Sequence, residues 1–334
     1  MMDFKAGEVF GLLVRTMPFL IFRFLVYFAI TLAYVLVTGI GAGIGYGIGS
    51  IAGTPEAGGL WGGVFGFTAV GVVMYFLREY ILYMVKAGHI AVLVELMEGK
   101  ELPGGKAQIE YAQGIVRERF TESSVLFALD QIIKAVLKAF NRVFFTIANF
   151  IPIPGIQGIA KFINTVVNLS LTYLDEVILA HNMRTRSDNP WKSGQTALIL
   201  YAQNYKVFLK NAFWLAFFIW GLTFLVFLII LAPVAGLVAL FPGAAGPLTL
   251  IVAVVFAWGV KQAVIEPFGM TALMSVYFKV TEGQEPNPEW EAKLDKVSKK
   301  FRELGERARQ WAPGQPEPEP EPEPQPTPGG GDAT

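Results

Sequence analysis

Two adjacent carboxylates, Asp175 and Glu176, close an apolar run that begins at Ile156. A carboxylate at membrane depth is costly, and where one is kept it often marks a path for an ion, a proton or a polar solute. Lys261 and Glu266 stand in the same way at the end of another apolar run, and Arg23 lies near the start of the first. These five are the candidate intramembrane or interfacial charges. Neighbours on a helix point about 100° apart, so Asp175 and Glu176 need not serve one site. If their helix leaves the membrane near Leu179, both are simply solvated. Arg23 can snorkel to the headgroups. Asp130, with Lys134 one turn later, reads as a surface ion pair.

Other chemistry has little to work with. The chain has no cysteine, which removes disulfides, thiolate nucleophiles and cysteine metal sites, and it has two histidines, His89 and His181. A metal shared with Glu95 or Asp175 would lack a second histidine nearby in sequence, so both rings are expected as packed or exposed helix residues. No G-x-S-x-G, H-E-x-x-H or Walker A pattern occurs. No catalytic residue, metal site or cofactor is expected, and the chain is not expected to be an enzyme. With 27 basic and 27 acidic residues the net charge is zero, so no basic field favours nucleic acid.

Gly47-Ile48-Gly49-Ser50-Ile51-Ala52 matches the dinucleotide fingerprint letter for letter, but an apolar helix precedes it where a strand is required. Spacing offers a better reason for these glycines. Gly39, Gly43 and Gly47 are four apart, as are Gly41, Gly45 and Gly49. Small residues at that spacing let helix backbones approach closely, within the chain or between copies in a homo-oligomer. A flexible outer loop is the competing reading of the same stretch.

The elements that must position these residues are mostly apolar helices. Hydrophobic residues make up 53% of the chain and charged residues 16%, against about 25% charged in soluble domains. Pro18 to Gly39 spans roughly 30 Å as a helix, enough to cross a bilayer. It is too long for a signal peptide and no cleavage motif follows. Leu60 to Leu77 returns, and the helix is expected to continue through Glu98 as a half-polar segment along or beyond the membrane surface. Val207–Leu231 and Leu248–Val260 form a second clear pair, joined by a connector punctuated with Pro233, Pro242 and Pro247, and Pro267 is expected to kink the helix beyond that pair. Between the pairs, Val125–Phe140 is amphipathic. Val143 to Tyr173, turning at Ile-Pro-Ile-Pro-Gly, reads as a membrane hairpin or as two interfacial helices.

The two clear pairs share an order: apolar helix, Gly/Pro connector, apolar helix turning polar, a Glu-Gly turn (Glu98-Gly99 and Glu282-Gly283) and a surface helix. The middle third reads as a diverged third copy. The resulting organisation is 1–122, 123–204 and 205–311, with a disordered Pro/Glu-rich tail at 312–334. Lys and Arg gather in the three turn regions and are absent from the three opposite connectors, which places both termini in the cytosol by the positive-inside rule. Six crossings fit this, as do four with an interfacial middle.

Beyond Pro288 the stripe Trp290, Leu294, Val297, Phe301, Leu304 and Trp311 follows helical spacing. It suits a membrane-surface helix, an oligomer seam or a helix packed on the protein's own cytosolic face. The sequence is therefore read as an all-α, polytopic integral membrane protein of the cell membrane, made of helical hairpins with amphipathic cytosolic helices. Its expected partner is the lipid bilayer. Three roles remain open: a permease-like or channel-like protein for a small solute, a membrane scaffold that oligomerises through its glycines, or an accessory subunit of a larger complex.

Overall fold

The computed structural model describes residues 2–77, 83–119, 125, 128–138, 166, 168–239 and 247–311. All regular structure among them is helical: twelve α-helices, one π turn, and further helical stretches at 128–138 and 168–172. A short helix, α1 (Ala6–Arg15), is followed at Thr16 by a bend into α2 (Met17–Ile51). Pro18 sits in the first turn of α2, where its missing N–H costs nothing. At 35 residues α2 is about 52 Å long, well beyond a hydrocarbon core of about 30 Å. The glycine-dense stretch is helical to Ile51, not a loop, and the chain reverses over Ala52, Gly53 and Thr54, with Gly53 at φ 76°.

The return helix α3 (Pro55–Leu77) explains why that stretch stays helical. A methyl on Gly45 would fall on the carbonyl oxygen of Gly58 and 2.9 Å from Cα of Gly62. Gly41 meets the carbonyl of Gly62, and Gly49 the carbonyl of Thr54 and Cα of Gly58. The two backbones thus touch along a seam of glycines, and dispersion contacts replace the hydrophobic drive that lipid does not supply. Gly39, Gly43 and Gly47 point away, and a methyl on any of them would meet nothing within 4 Å. One glycine series therefore works within the chain and the other faces outward.

The second pair comprises α8 (Tyr205–Val238) and α9 (Pro247–Val260). A π turn, Lys261–Ile265, joins α9 to α10 (Glu266–Thr281). Pro267 lacks the N–H that would bond the carbonyl of Ala263, and the helix takes up that loss in a wider turn just before the proline. Among the described residues, four helical stretches are long and apolar enough to cross a membrane: Met17–Ile51, Pro55–Met74, Tyr205–Gly236 and Thr249–Thr281. Their outer faces carry Trp61, Phe65, Trp220, Phe224, Ile229 and Ile251, with Phe65 76% exposed. An apolar surface of this extent calls for lipid, so the chain is a candidate multi-pass membrane protein with four spans. The middle hairpin expected over 143–173 lies largely outside the described residues, as do the connector at 240–246 and the Pro/Glu tail.

At one end of the spans the remaining helices form a packed head. α4 (Tyr83–Met97) is buried continuously from Ala87 to Leu96. α6 (Leu174–Thr185) is buried over most of its length, and so is α10. The expectation of a surface helix through Glu98 is thus corrected: α4 is a core helix. Its small residues explain how. A methyl on Gly88 would lie 3.2 Å from the Phe19 ring, and Ala87 and Ala91 are fully covered. A helix apolar on all sides belongs in a core, and the half-polar composition of the longer segment had concealed this.

Around that core lie α5 (Lys106–Arg119), a helical stretch at 128–138, α7 (Pro190–Gln203), α11 (Pro288–Val297) and α12 (Lys299–Gln310). The stripe expected on one helix is shared by two. Ser298, at φ −138° and ψ 113°, breaks it and caps α12 by accepting from the Phe301 N–H at 3.2 Å. Leu294, Phe301 and Leu304 are buried in the head's core. Trp311 Nε1 donates to the Asp188 carbonyl at 2.7 Å, Trp290 packs near Tyr205, and Val297 is 42% exposed. The stripe therefore packs on the protein's own head, through α7. The cationic turns meet there too: Glu95 pairs with Lys100 at 2.5 Å and with Arg186 at 3.6 Å, and Gln203 donates to Gln284 at 2.8 Å.

Candidate functional site

The charges singled out in the sequence converge where the spans enter the head. α2 brings Arg23, six residues into the helix, level with the π turn, whose Gln262 carbonyl accepts from Arg23 Nη2 at 3.2 Å. A π turn loosens the regular ladder, which leaves a carbonyl for this use. One turn on, Glu266 accepts from Lys261 and from the Tyr173 hydroxyl. Gly269 makes room for that phenol, since a methyl there would lie 2.6 Å from the Tyr173 ring. Asp175 and Glu176 follow Tyr173 after one residue, Leu174. Lys86 of α4 bridges both carboxylates, reaching Asp175 at 3.3 Å and Glu176 in a closer contact.

These groups surround a cavity of about 630 Å³. Its charged floor is Arg23, Lys86, Asp175, Glu176 and Glu266, and its wall climbs α2 through Val26, Tyr27, Ile30 and Tyr34, opposite Gly71, Met74 and Trp258. From Arg23 to Tyr34 the rise is roughly 16 Å, so the cavity runs from the charged end of the spans into their apolar part. Lys134 also lines it and pairs with Asp130 at 2.5 Å.

The expectation that Asp175 and Glu176 are solvated does not hold. Glu176 is buried, the Asp175 side chain is 9% exposed, and both are held by Lys86. Adjacent on one helix, the two carboxylates converge on one long flexible ammonium. Asp130 pairs with Lys134 one turn on, as its spacing suggests; the carboxylate is buried, while the Lys134 side chain is 47% exposed. Burial and the charge of Asp175 push Glu176 well above the usual carboxylate range. Burial acts on Asp175 as well, but Lys86 outweighs it and holds Asp175 below its ordinary value. Lys86 resists burial through Asp175 and Glu176, which raise its proton affinity. The pair thus divides: Asp175 holds its proton less tightly, and Glu176 more tightly, than an ordinary carboxyl. Arg23 is 7% exposed, and its Nε and Nη1 meet no hydrogen-bond partner among the described residues, nor does Oε2 of Glu176.

Sequence reasoning missed Lys86 and Tyr173. Lys86 lay in a segment read as peripheral. Its signal was a single cation in the apolar stretch 80–94. Tyr173 was visible only as the residue shortly before the carboxylates.

Both histidines are packed. His89 is fully buried, stacks on Phe19 at 5.3 Å and is hydrogen-bonded through Nε2 to the Thr16 hydroxyl at 2.9 Å. His181 lies 3.1 Å from the Tyr277 hydroxyl through Nδ1. Among the described residues no group of three or more His, Asp or Glu is placed to hold a metal ion. Burial, helped by the charge of Arg184, pushes His181 down to about 4 from 6.5. The folded protein therefore binds this proton more weakly than the unfolded chain. Stability is full above about 6.5 and is lost as pH falls toward about 4, by roughly 3 kcal/mol from this ring. Thermal unfolding against pH should show that slope, and His181→Gln should flatten it. An unchanged slope in the variant would remove His181 as its source.

No protein-family model matches the chain, and neither a curated protein nor a solved structure matches it.

Proposed function

We propose that this is a permease-like protein of the cell membrane that takes a small solute into the cavity between its spans and its head and moves it without covalent chemistry. One observation carries the reading: buried, partly unpartnered charges line a cavity that rises about 16 Å into apolar helices. Charge at that depth is costly and is kept most readily where it handles something polar. The cationic turns of the head favour a cytosolic head with both termini inside.

The test is flux in proteoliposomes, read as solute-gradient-driven current or uptake with a panel of organic anions, cations and zwitterions. At least one class should move, and Asp175→Asn with Glu176→Gln should cut that flux by about tenfold or more while unfolding stays cooperative, at a midpoint lowered because Lys86 loses both counter-ions. If no class moves, or if the double variant moves it at the parental rate, the reading fails. A scaffold is the second reading, favoured by the outward series Gly39, Gly43 and Gly47. It requires Gly43→Leu to change the oligomeric state while flux is absent.

A further inference from the structure

The first helix does not prolong the second. α2 runs from Thr16 toward the glycine seam, and on the way Arg23 meets the Gln262 carbonyl. Counted from that contact at 1.5 Å per residue, Thr16 lies about 10 Å away from the seam along α2, and Phe268 about 9 Å away along the π turn and α10. Phe4, just before α1, packs its ring against those of Phe268 and Phe218, at 6.3 and 6.5 Å. Both ends of α1 thus stand at nearly one depth, and the helix crosses the bundle sideways. Its Val9 and Leu13 are buried in the head's core. The side turned away from that core is apolar as well. At 100° per residue, Gly7, Phe10, Gly11 and Val14 share about 100° of arc. Phe10 is 65% exposed and Val14 47%, and a methyl on Gly7 or Gly11 would meet nothing within 4 Å. Glu8 and Arg15, both exposed, flank that arc on one side. Past the bend at Thr16, Met17, Ile21 and Leu25 carry exposed apolar surface on along α2. At the other end Asp3 accepts from Lys210 at 2.9 Å and from Asn211 Nδ2 at 2.6 Å. There α8 exposes Trp214 and Phe217 within two turns of Asn211, and tryptophan gathers where a bilayer meets water.

We infer that α1 is an in-plane anchor docked into the lipid leaflet on the head's side, with Phe10 and Val14 at the acyl boundary and Glu8 and Arg15 among the headgroups. Three arcs of one short helix then meet three media: protein core, hydrocarbon edge and water. The occupant is lipid and not a second copy, because the arc adjoins, at both ends, surface that the four spans already require lipid to cover. The same placement sets the depth of the cavity. Arg23, about 10 Å further along α2, lies on the hydrocarbon side of the interface, so the charged floor stands inside the membrane. The inference rests on the spans crossing a bilayer and not on the permease reading.

The chain has no cysteine, so a single spin label reports its own position without background. The full chain is labelled at Glu8→Cys, Phe10→Cys, Val14→Cys or Arg15→Cys, and at Leu25→Cys as a reference on α2. All five positions are exposed, so the label displaces no packed side chain. In phosphatidylcholine vesicles, relaxation by oxygen, which partitions into acyl chains, is compared with relaxation by a water-soluble nickel chelate. The oxygen-to-nickel ratio at Phe10→Cys and Val14→Cys should exceed that at Glu8→Cys and Arg15→Cys several-fold, and should fall below that at Leu25→Cys. A low ratio at all four α1 positions would place the helix in water and overturn the inference. A ratio at all four equal to that at Leu25→Cys would sink the whole helix into the acyl layer and overturn it equally. Spin–spin broadening at Phe10→Cys that disappears when labelled chains are diluted with unlabelled ones would show a second copy covering the arc, and lipid would lose the site.

Discussion

Gly45→Val is expected to break the first hairpin, while Gly43→Val two residues away leaves it intact. A side chain at Gly45 lands on the carbonyl oxygen of Gly58 and 2.9 Å from Cα of Gly62, and both are backbone atoms of α3. No rotamer change relieves that contact, so α2 and α3 must separate along the whole glycine seam. Overpacking a seated core costs about 1–3 kcal/mol, and a backbone against a backbone sits at the top of that range or above it. Gly43 has nothing within 4 Å, so its substitution should stay within about 0.5 kcal/mol, as for surface changes. The absence of cysteine from the chain allows a direct readout. A methyl on Gly63 lies 3.4 Å from Cβ of Ala42, close to the separation of about 3.8 Å that a disulfide needs. Ala42→Cys with Gly63→Cys should oxidise readily in the parent and with Gly43→Val, and poorly with Gly45→Val. Equal crosslinking in all three would mean that the glycine seam does not hold α2 on α3.

That contrast shows what could be read from the residues alone. Spacing of four announced two glycine faces on α2. It could not say which face meets α3, because both series repeat with the same period and only the register of the hairpin separates them. The apolar runs of the four spans were legible because lipid demands length and hydrophobicity together. Their ends were not. α2 and α8 run past the expected limits Gly39 and Leu231 to Ile51 and Val238, since glycine in a tight seam and a proline inside a lipid-facing helix are tolerated where soluble helices would stop.

At the candidate site, Arg23, Asp175, Glu176, Lys261 and Glu266 were all visible as charges out of place. Their meeting was not, because it depends on a π turn before Pro267 and on α4 diving into the head. α4 was misplaced for a specific reason. Counting Arg78, Glu79, Lys86, His89, Glu95 and Glu98 along one long segment gives a half-polar average, although the stretch from Ala87 to Val94 is buried throughout. Its one early cation, Lys86, is the counter-ion of two buried acids, a role that composition alone does not separate from solvation.

Lys86→Met should therefore be among the most damaging single changes outside the glycine seam. The methionine fills similar volume, so the loss is of charge and not of packing. Asp175 and Glu176 would then sit side by side, buried and facing each other without a cation. Removing one partner of a buried pair costs about 3–5 kcal/mol because the orphaned charge stays behind. The sign of its pH dependence comes from the carboxylates. Without Lys86, Asp175 loses the partner that holds it below its ordinary value, and burial pushes both acids upward. Folded carboxyls with raised proton affinity bind protons more tightly than unfolded ones, so the variant gains stability as pH falls and loses it as pH rises through their folded values. Its unfolding midpoint should drop toward alkaline pH more steeply than that of the parent, in which only Glu176 of the two is raised. Adding Glu176→Gln should recover part of the loss, since one buried acid is easier to keep neutral than two. A Lys86→Met protein with parental stability at all pH values would mean that the two acids do not depend on this cation, and that the charged floor beneath Arg23 is assembled differently from what the fold implies.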